Sequence, residues 1–134
     1  MGKSGCTLFF LLPAALLLAG CGGDGRIKID GGVTFDGKPI DNGTIAFVPA
    51  DGGGPTAGAL IQGGRYSLRV ATGKKRVEIQ GFKEVGRGRA VESDPSSPIV
   101  AKMAPFVPAQ YNTASTLTYE VQGNTDKADF ALRP

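Results

Sequence analysis

The chain predicts an all-β fold, a sandwich of about seven short strands behind an export leader. Three observations carry that expectation. Beyond residue 26, apolar and polar residues alternate in stretch after stretch, the period-two pattern of a half-buried strand. The 134 residues include 21 glycines and 9 prolines, which interrupt those stretches at intervals too short for ordinary helices. After the leader, no segment sustains a helical period.

The leader comes first. Lys3 provides a positive start, Thr7 to Leu18 is almost wholly apolar, and Leu18-Ala19-Gly20-Cys21 closes the segment. Charged, apolar and small-residue regions in that order mark a secretory signal. An apolar run of about 12 residues is too short to span a bilayer, which needs roughly 20, and Pro13 weakens a spanning helix further. The final four residues resemble the lipobox of bacterial lipoproteins, in which cleavage makes the cysteine the new N-terminus and its thiol is acylated, for example with palmitate. On that resemblance residues 1–20 are the signal peptide, residues 21–26 a flexible tether with Cys21 lipidated, and residues 27–134 the domain. The implied location is the exported side of a membrane in the cell envelope, with the membrane itself as a partner.

Within the domain, Ile27, Ile29, Val33 and Phe35 share one parity and predict the first strand. Asp36-Gly37-Lys38-Pro39 turns the chain, and Thr44 to Val48 resumes with Ile45 and Phe47 on one face. Asp51 to Pro55 is a loop. Ala57 to Ile61 and Tyr66 to Val70 form two strands joined by Gln62-Gly63-Gly64-Arg65, where paired glycines permit the positive φ angles of a tight hairpin. Thr72-Gly73-Lys74 turns again before the alternation of Val77 and Ile79. Lys83 to Phe106 shows charge and Ser93-Asp94-Pro95-Ser96-Ser97-Pro98 but little period, so it reads as a long loop, functional or mobile. Leu117, Tyr119 and Val121 then alternate, Gly123-Asn124 turns, and Ala128, Phe130 and Leu132 close the chain. The immunoglobulin Cys…Trp…Cys spacing is absent, which leaves a prealbumin-like Greek-key sandwich as the better fit.

Composition excludes several chemistries. Cleavage at Cys21 would remove Cys6, leaving one cysteine and no internal disulfide. The chain has no histidine, so it cannot build a Ser-His-Asp or Cys-His site or an imidazole zinc site. Its 15 basic and 12 acidic side chains become 14 and 12 once Lys3 is removed, a balance too mild to point to nucleic acid. No pair among the acids is selected by spacing, and the expectation is a non-catalytic protein without a cofactor. Asp36, Asp41, Asn42 and Asp51 are the best oxygen ligands for a cation, but Asp and Asn beside glycine are also ordinary turn residues.

Several segments carry a further resemblance. Ile29-Asp30-Gly31-Gly32-Val33-Thr34-Phe35-Asp36-Gly37-Lys38-Pro39-Ile40, Thr44 to Pro49, Gly64-Arg65-Tyr66-Ser67-Leu68, Val107-Pro108-Ala109-Gln110-Tyr111-Asn112 and Asp129-Phe130-Ala131-Leu132 resemble small planctomycete-type lipoproteins with a carboxypeptidase regulatory-like, or transthyretin-like, domain. Thr72-Gly73-Lys74-Lys75-Arg76-Val77-Glu78-Ile79 departs from the family's Pro-Gly-x-Tyr-x-Val-x-Ile, lacking its proline and its aromatic. The resemblance implies the prealbumin-like fold and an envelope location, and it implies no catalytic residue.

The functional expectation is a membrane-tethered binding or structural module for an envelope protein or glycan, with the 83–106 segment as its contact surface. Tyr111 and Asn112 are the candidate binding pair, read against a structural role in which the tyrosine hydroxyl ties down nearby backbone. The alternatives are a carbohydrate-binding module using Tyr66, Tyr111 or Tyr119 as a stacking platform, and an accessory subunit of a secreted enzyme.

Overall fold

The structure, a computed structural model, describes Gly2, residues 25–123 and residues 127–134. The leader, Cys21 and Asn124 of the expected last turn lie outside the described residues. Strands are β1 (Arg26–Phe35), β2 (Lys38–Pro39), β3 (Asn42–Pro49), β4 (Ala57–Gln62), β5 (Arg65–Ala71), β6 (Gly73–Arg89), β7 (Ile99–Pro105), β8 (Thr118–Val121) and β9 (Phe130–Leu132). One short 3₁₀ segment, Ala109–Tyr111, interrupts them. The chain is all-β as its alternation predicts. Among the described residues, no helix is long and apolar enough to cross a membrane.

The strands form a curled, mostly antiparallel sheet, a half-barrel, in the order β2-β1-β5-β4-β3-β6-β7, with β8 beside β6 and β9 parallel to β1. The β4–β5 hairpin turns through Gly63 and Gly64, at φ 56° and 76°, the double positive φ that a right-twisted two-residue hairpin requires. Those two strands then share only the pair Gln62↔Arg65. Beyond it β4 follows β3 and β5 follows β1, so the sheet opens at this corner and wraps around the core.

The core is built from the predicted parities. Ile29 and Val33 of β1, Ile45 and Phe47 of β3, Tyr66, Leu68 and Val70 of β5, and Val77 and Ile79 of β6 are all buried. Phe47 is fully buried at the centre, with ring centroids 6.3 Å from Tyr66, 6.1 Å from Tyr119 and 6.2 Å from Phe130. Its contacts with Tyr119 and Phe130 are edge-to-face, and such contacts add about 0.5–1.5 kcal/mol each beyond area burial. Lys75 is buried opposite Tyr119 and Pro49. Its aliphatic stem takes the inward place that the strand's parity assigns.

The long strand β6 differs most from expectation. Its first half pairs with β3 and β8, but from Phe82 it runs on with β7 to the pair Arg89↔Ile99. The expected 83–106 loop is therefore a two-stranded arm with a bulge between Glu84 and Gly86. Its residues are exposed on both faces. With no layer on either side, nothing selects an apolar parity, and the period that marks a half-buried strand disappears. Seven expected strands become nine because β7 and the two-residue β2 complete the set.

The sheet also has two distinct ends. Arg26 pairs with Ala71, beside the start of β6. Gly32↔Arg65 and Asn42↔Phe82 mark the opposite end, and the arm projects from there. The chain thus enters the domain at one end and presents the arm at the other.

Candidate functional site

The arm concentrates the exposed apolar surface. Val85, Val91, Ile99, Val100 and Met103 are 40–59% exposed, and Leu60 on β4 is 63% exposed. At the arm's base, Leu60, Thr44, Asn42, Phe82, Glu84 and Met103 line an open groove of about 590 Å³. Soluble domains seldom leave such residues clustered without a use for the surface.

Local hydrogen bonds order the tip. The Ala90 N–H donates to the Pro98 carbonyl at 2.9 Å, and the Val91 N–H donates to Ser97 Oγ at 2.8 Å. The Asp94 carboxylate accepts from the Ser96 hydroxyl at 2.7 Å and its N–H at 2.9 Å, which lowers the Asp94 pKa from its ordinary value. The Arg89 guanidinium donates to the Pro95 carbonyl. Lys102 pairs with Glu92 at 2.8 Å, and its hydrogen bond followed by its charge lowers the Glu92 carboxyl pKa. The arm is hence a shaped surface with a closed tip.

Tyr111 and Asn112 lie elsewhere, in and just after the 3₁₀ segment. Tyr111 is half-buried against the core, and its hydroxyl accepts the Arg133 N–H at 3.1 Å. Asn112 Nδ2 donates to the carbonyls of Pro108 at 3.1 Å and Val107 at 3.3 Å, while its Oδ1 accepts the Thr113 N–H at 2.7 Å. The polar atoms of the pair are thus engaged with main chain, bracing the segment after β7 against the C-terminus. Ser115 does similar work, donating to the Val77 carbonyl.

The acidic candidates are dispersed over separate turns. Asp36 occupies the β1–β2 turn at φ 51°, Asp41 offers its carbonyl to Gly63, and Asp51 Oδ1 accepts the Gly53 N–H at 2.9 Å. Asn42 begins β3 and lines the groove. Among the described residues, no three His, Cys, Asp or Glu side chains converge as a metal site would need.

Of the other tyrosines, Tyr119 is packed against the core, with its hydroxyl donating to the Lys127 carbonyl at 3.3 Å. Tyr66 is 4% exposed, and its hydroxyl donates to the Ala128 carbonyl at 2.6 Å. Burial, with smaller contributions from Tyr119, Asp129 and Asp30, pushes the Tyr66 phenol well above its ordinary value of 10.0. A phenol that stays neutral in the folded state but ionises near pH 10 when unfolded stabilises the fold fully below that pH. The contribution is lost as pH rises from there towards the folded pKa. Thermal midpoints measured from pH 8 to 12 are therefore expected to fall above about pH 10. Tyr66→Phe lowers the plateau by about 1–2 kcal/mol for the lost buried hydrogen bond and makes the alkaline fall shallower.

Sequence reasoning expected a long loop at 83–106 and missed the two-stranded arm. The available signal was Ile99-Val100-Ala101-Lys102-Met103, a β-prone run bounded by Pro98 and Pro105. No family model, curated protein or solved structure matches the chain.

Proposed function

We propose that this protein is a cell-envelope lipoprotein, held at a membrane by acylated Cys21, whose non-catalytic β domain works as a binding or structural module. The observation that carries the reading is Leu18-Ala19-Gly20-Cys21 directly after an apolar run with a basic start. Two acyl chains, each buried methylene contributing about 0.8 kcal/mol, make a firm anchor. Five residues from Cys21 to Gly25 precede β1, a tether reaching at most about 18 Å, so the domain stays near the bilayer.

The domain presents its arm and groove as the contact surface. A prealbumin-like Greek-key sandwich is the finer reading of its fold. It is supported by the opening of the sheet beyond Gln62↔Arg65 and by the aromatic cluster of Phe47, Tyr66, Tyr119 and Phe130 between the two strand sets. The non-catalytic reading rests on the lack of histidine and on Asp51, Tyr111, Asn112 and Ser115 being engaged with main chain.

The test is the intact mass and membrane partition of the natively expressed protein beside Cys21→Ala. The expected wild-type product begins at Cys21, carries acyl groups and floats with membranes, whereas the variant is released or left unprocessed. A soluble, unacylated wild-type product overturns the proposal.

A further inference from the structure

We propose that the groove-side face of the arm is a self-association surface, which a second copy of this chain covers in antiparallel, two-fold fashion. The inference rests on the arm's geometry and is independent of the lipid anchor. Directly opposed residues in an antiparallel pair project to the same face. Ala101 and Met103 line the groove, so their face also carries Arg87 opposite Ala101, Arg89 and Ile99 at the next pair towards the tip, and Phe82 and Pro105 at the base. Glu84, opposite Met103, lines the groove as well.

Read from tip to base, this face is basic, then acidic, with apolar groups along its length. A two-fold axis between Ala101 and Met103 makes it complementary to itself. It sets Arg87 against the partner's Glu84 and Glu84 against the partner's Arg87. It lays Met103 over the partner's Ala101, a large group on a small one. It also brings Ile99 towards the partner's Phe82 and Pro105, near the exposed partner's Leu60. Among the described residues, neither Glu84 nor Arg87 belongs to an ion pair. A uniformly anionic surface would match the tip and repel Glu84, whereas a second copy satisfies both charges.

The arm itself favours such a cover. A two-stranded ribbon with water on both faces is marginal by itself, and the arm's residues are exposed on both faces. The contact is small. Seven residues per strand at 3.3 Å give a face about 23 Å long, well under the roughly 800 Å² per partner of a standard interface. Association is accordingly weak, and confinement at a surface would strengthen it.

Sedimentation of the natively expressed chain in non-ionic detergent, up to about 300 µM, tests this, since a micromolar contact is saturated there. Wild type is expected to dimerise. Glu84→Arg and Arg87→Glu alone each raise the dimer dissociation constant about tenfold or more, because each creates like-charge contacts. An equimolar mixture of the two variants, and the double variant, both regain wild-type association, because each rebuilds opposite-charge pairs. Only folded chains can be rescued by mixing, which separates lost contact from lost fold. A monomeric wild type overturns the proposal. So does a dimer indifferent to both single changes, which would place association elsewhere in the chain, or a loss that neither the mixture nor the double variant restores.

Discussion

Replacing Gly31 with valine is expected to destabilise the domain by about 3 kcal/mol or more, the upper range for forcing atoms into a packed interior. A Cβ at Gly31 would stand 1.7 Å from the Ala128 carbonyl oxygen, 2.7 Å from its carbon and 2.9 Å from Tyr66 Cε1. Two of those atoms are backbone, so no rotamer change relieves the overlap. The closing segment must move instead, and it is held by three polar ties. Ala128 N–H donates to the Asp30 carbonyl at 3.1 Å, Tyr66 donates to the Ala128 carbonyl, and Gly32 N–H donates to Asp129 Oδ1 at 2.7 Å. Displacing it also loosens β9 from β1 and exposes Phe130 and Leu132, both buried. Urea unfolding reads the effect as a fall in midpoint. The neighbouring Gly32→Ala serves as control, since its nearest atoms lie at 3.5 Å and 3.6 Å and the expected change is below about 1 kcal/mol. An unchanged midpoint for Gly31→Val would show that residues 127–132 do not dock on β1.

Phe47→Ala is expected to cost about 3–5 kcal/mol, the range for deleting a buried aromatic. The ring is fully buried and contacts Tyr66, Tyr119 and Phe130, which come from three other strands. Two of those neighbours, Tyr66 and Tyr119, are tied by hydroxyl bonds to the Ala128 and Lys127 carbonyls, so they cannot collapse freely into the space left behind. The penalty then includes a cavity in addition to lost transfer free energy. Since small domains are stable by only about 5–15 kcal/mol, this single change removes a large share of the total. Phe47→Leu keeps most of the volume and is expected to cost about half as much. Equal midpoints for Phe47→Ala and wild type would remove the ring from the core.

Much of the fold was legible in the sequence where a strand has core on one side and water on the other. Ile45 and Phe47, Tyr66 to Val70, and Val77 and Ile79 alternate in the chain because they alternate in burial. The Gly63-Gly64 hairpin was equally legible, since few other residues accept positive φ at both turn positions. The arm was hidden for the converse reason. Exposed on both faces, Lys83 to Arg89 and Ile99 to Pro105 carry no parity for the sequence to display. Tyr111 and Asn112 were visible as a motif, and a tyrosine hydroxyl tying down backbone was the structural alternative to binding, but its particular partner was not visible. The main-chain partners that engage them become evident only once the Val107–Thr113 turn and Arg133 are in place.

By itself, therefore, the sequence determined the all-β class, the inward faces of the half-buried strands, the tight turns and the absence of histidine chemistry. These follow from local chain geometry and composition, which neighbours in the chain decide among themselves. Only the tertiary structure decided that β6 outruns its sheet, that Gly31 must be bare, that Tyr66 meets Ala128 62 residues away, and that basic and acidic groups share one face of the arm. Those are relations between distant segments, and they come into being only when burial of the common core brings the segments together.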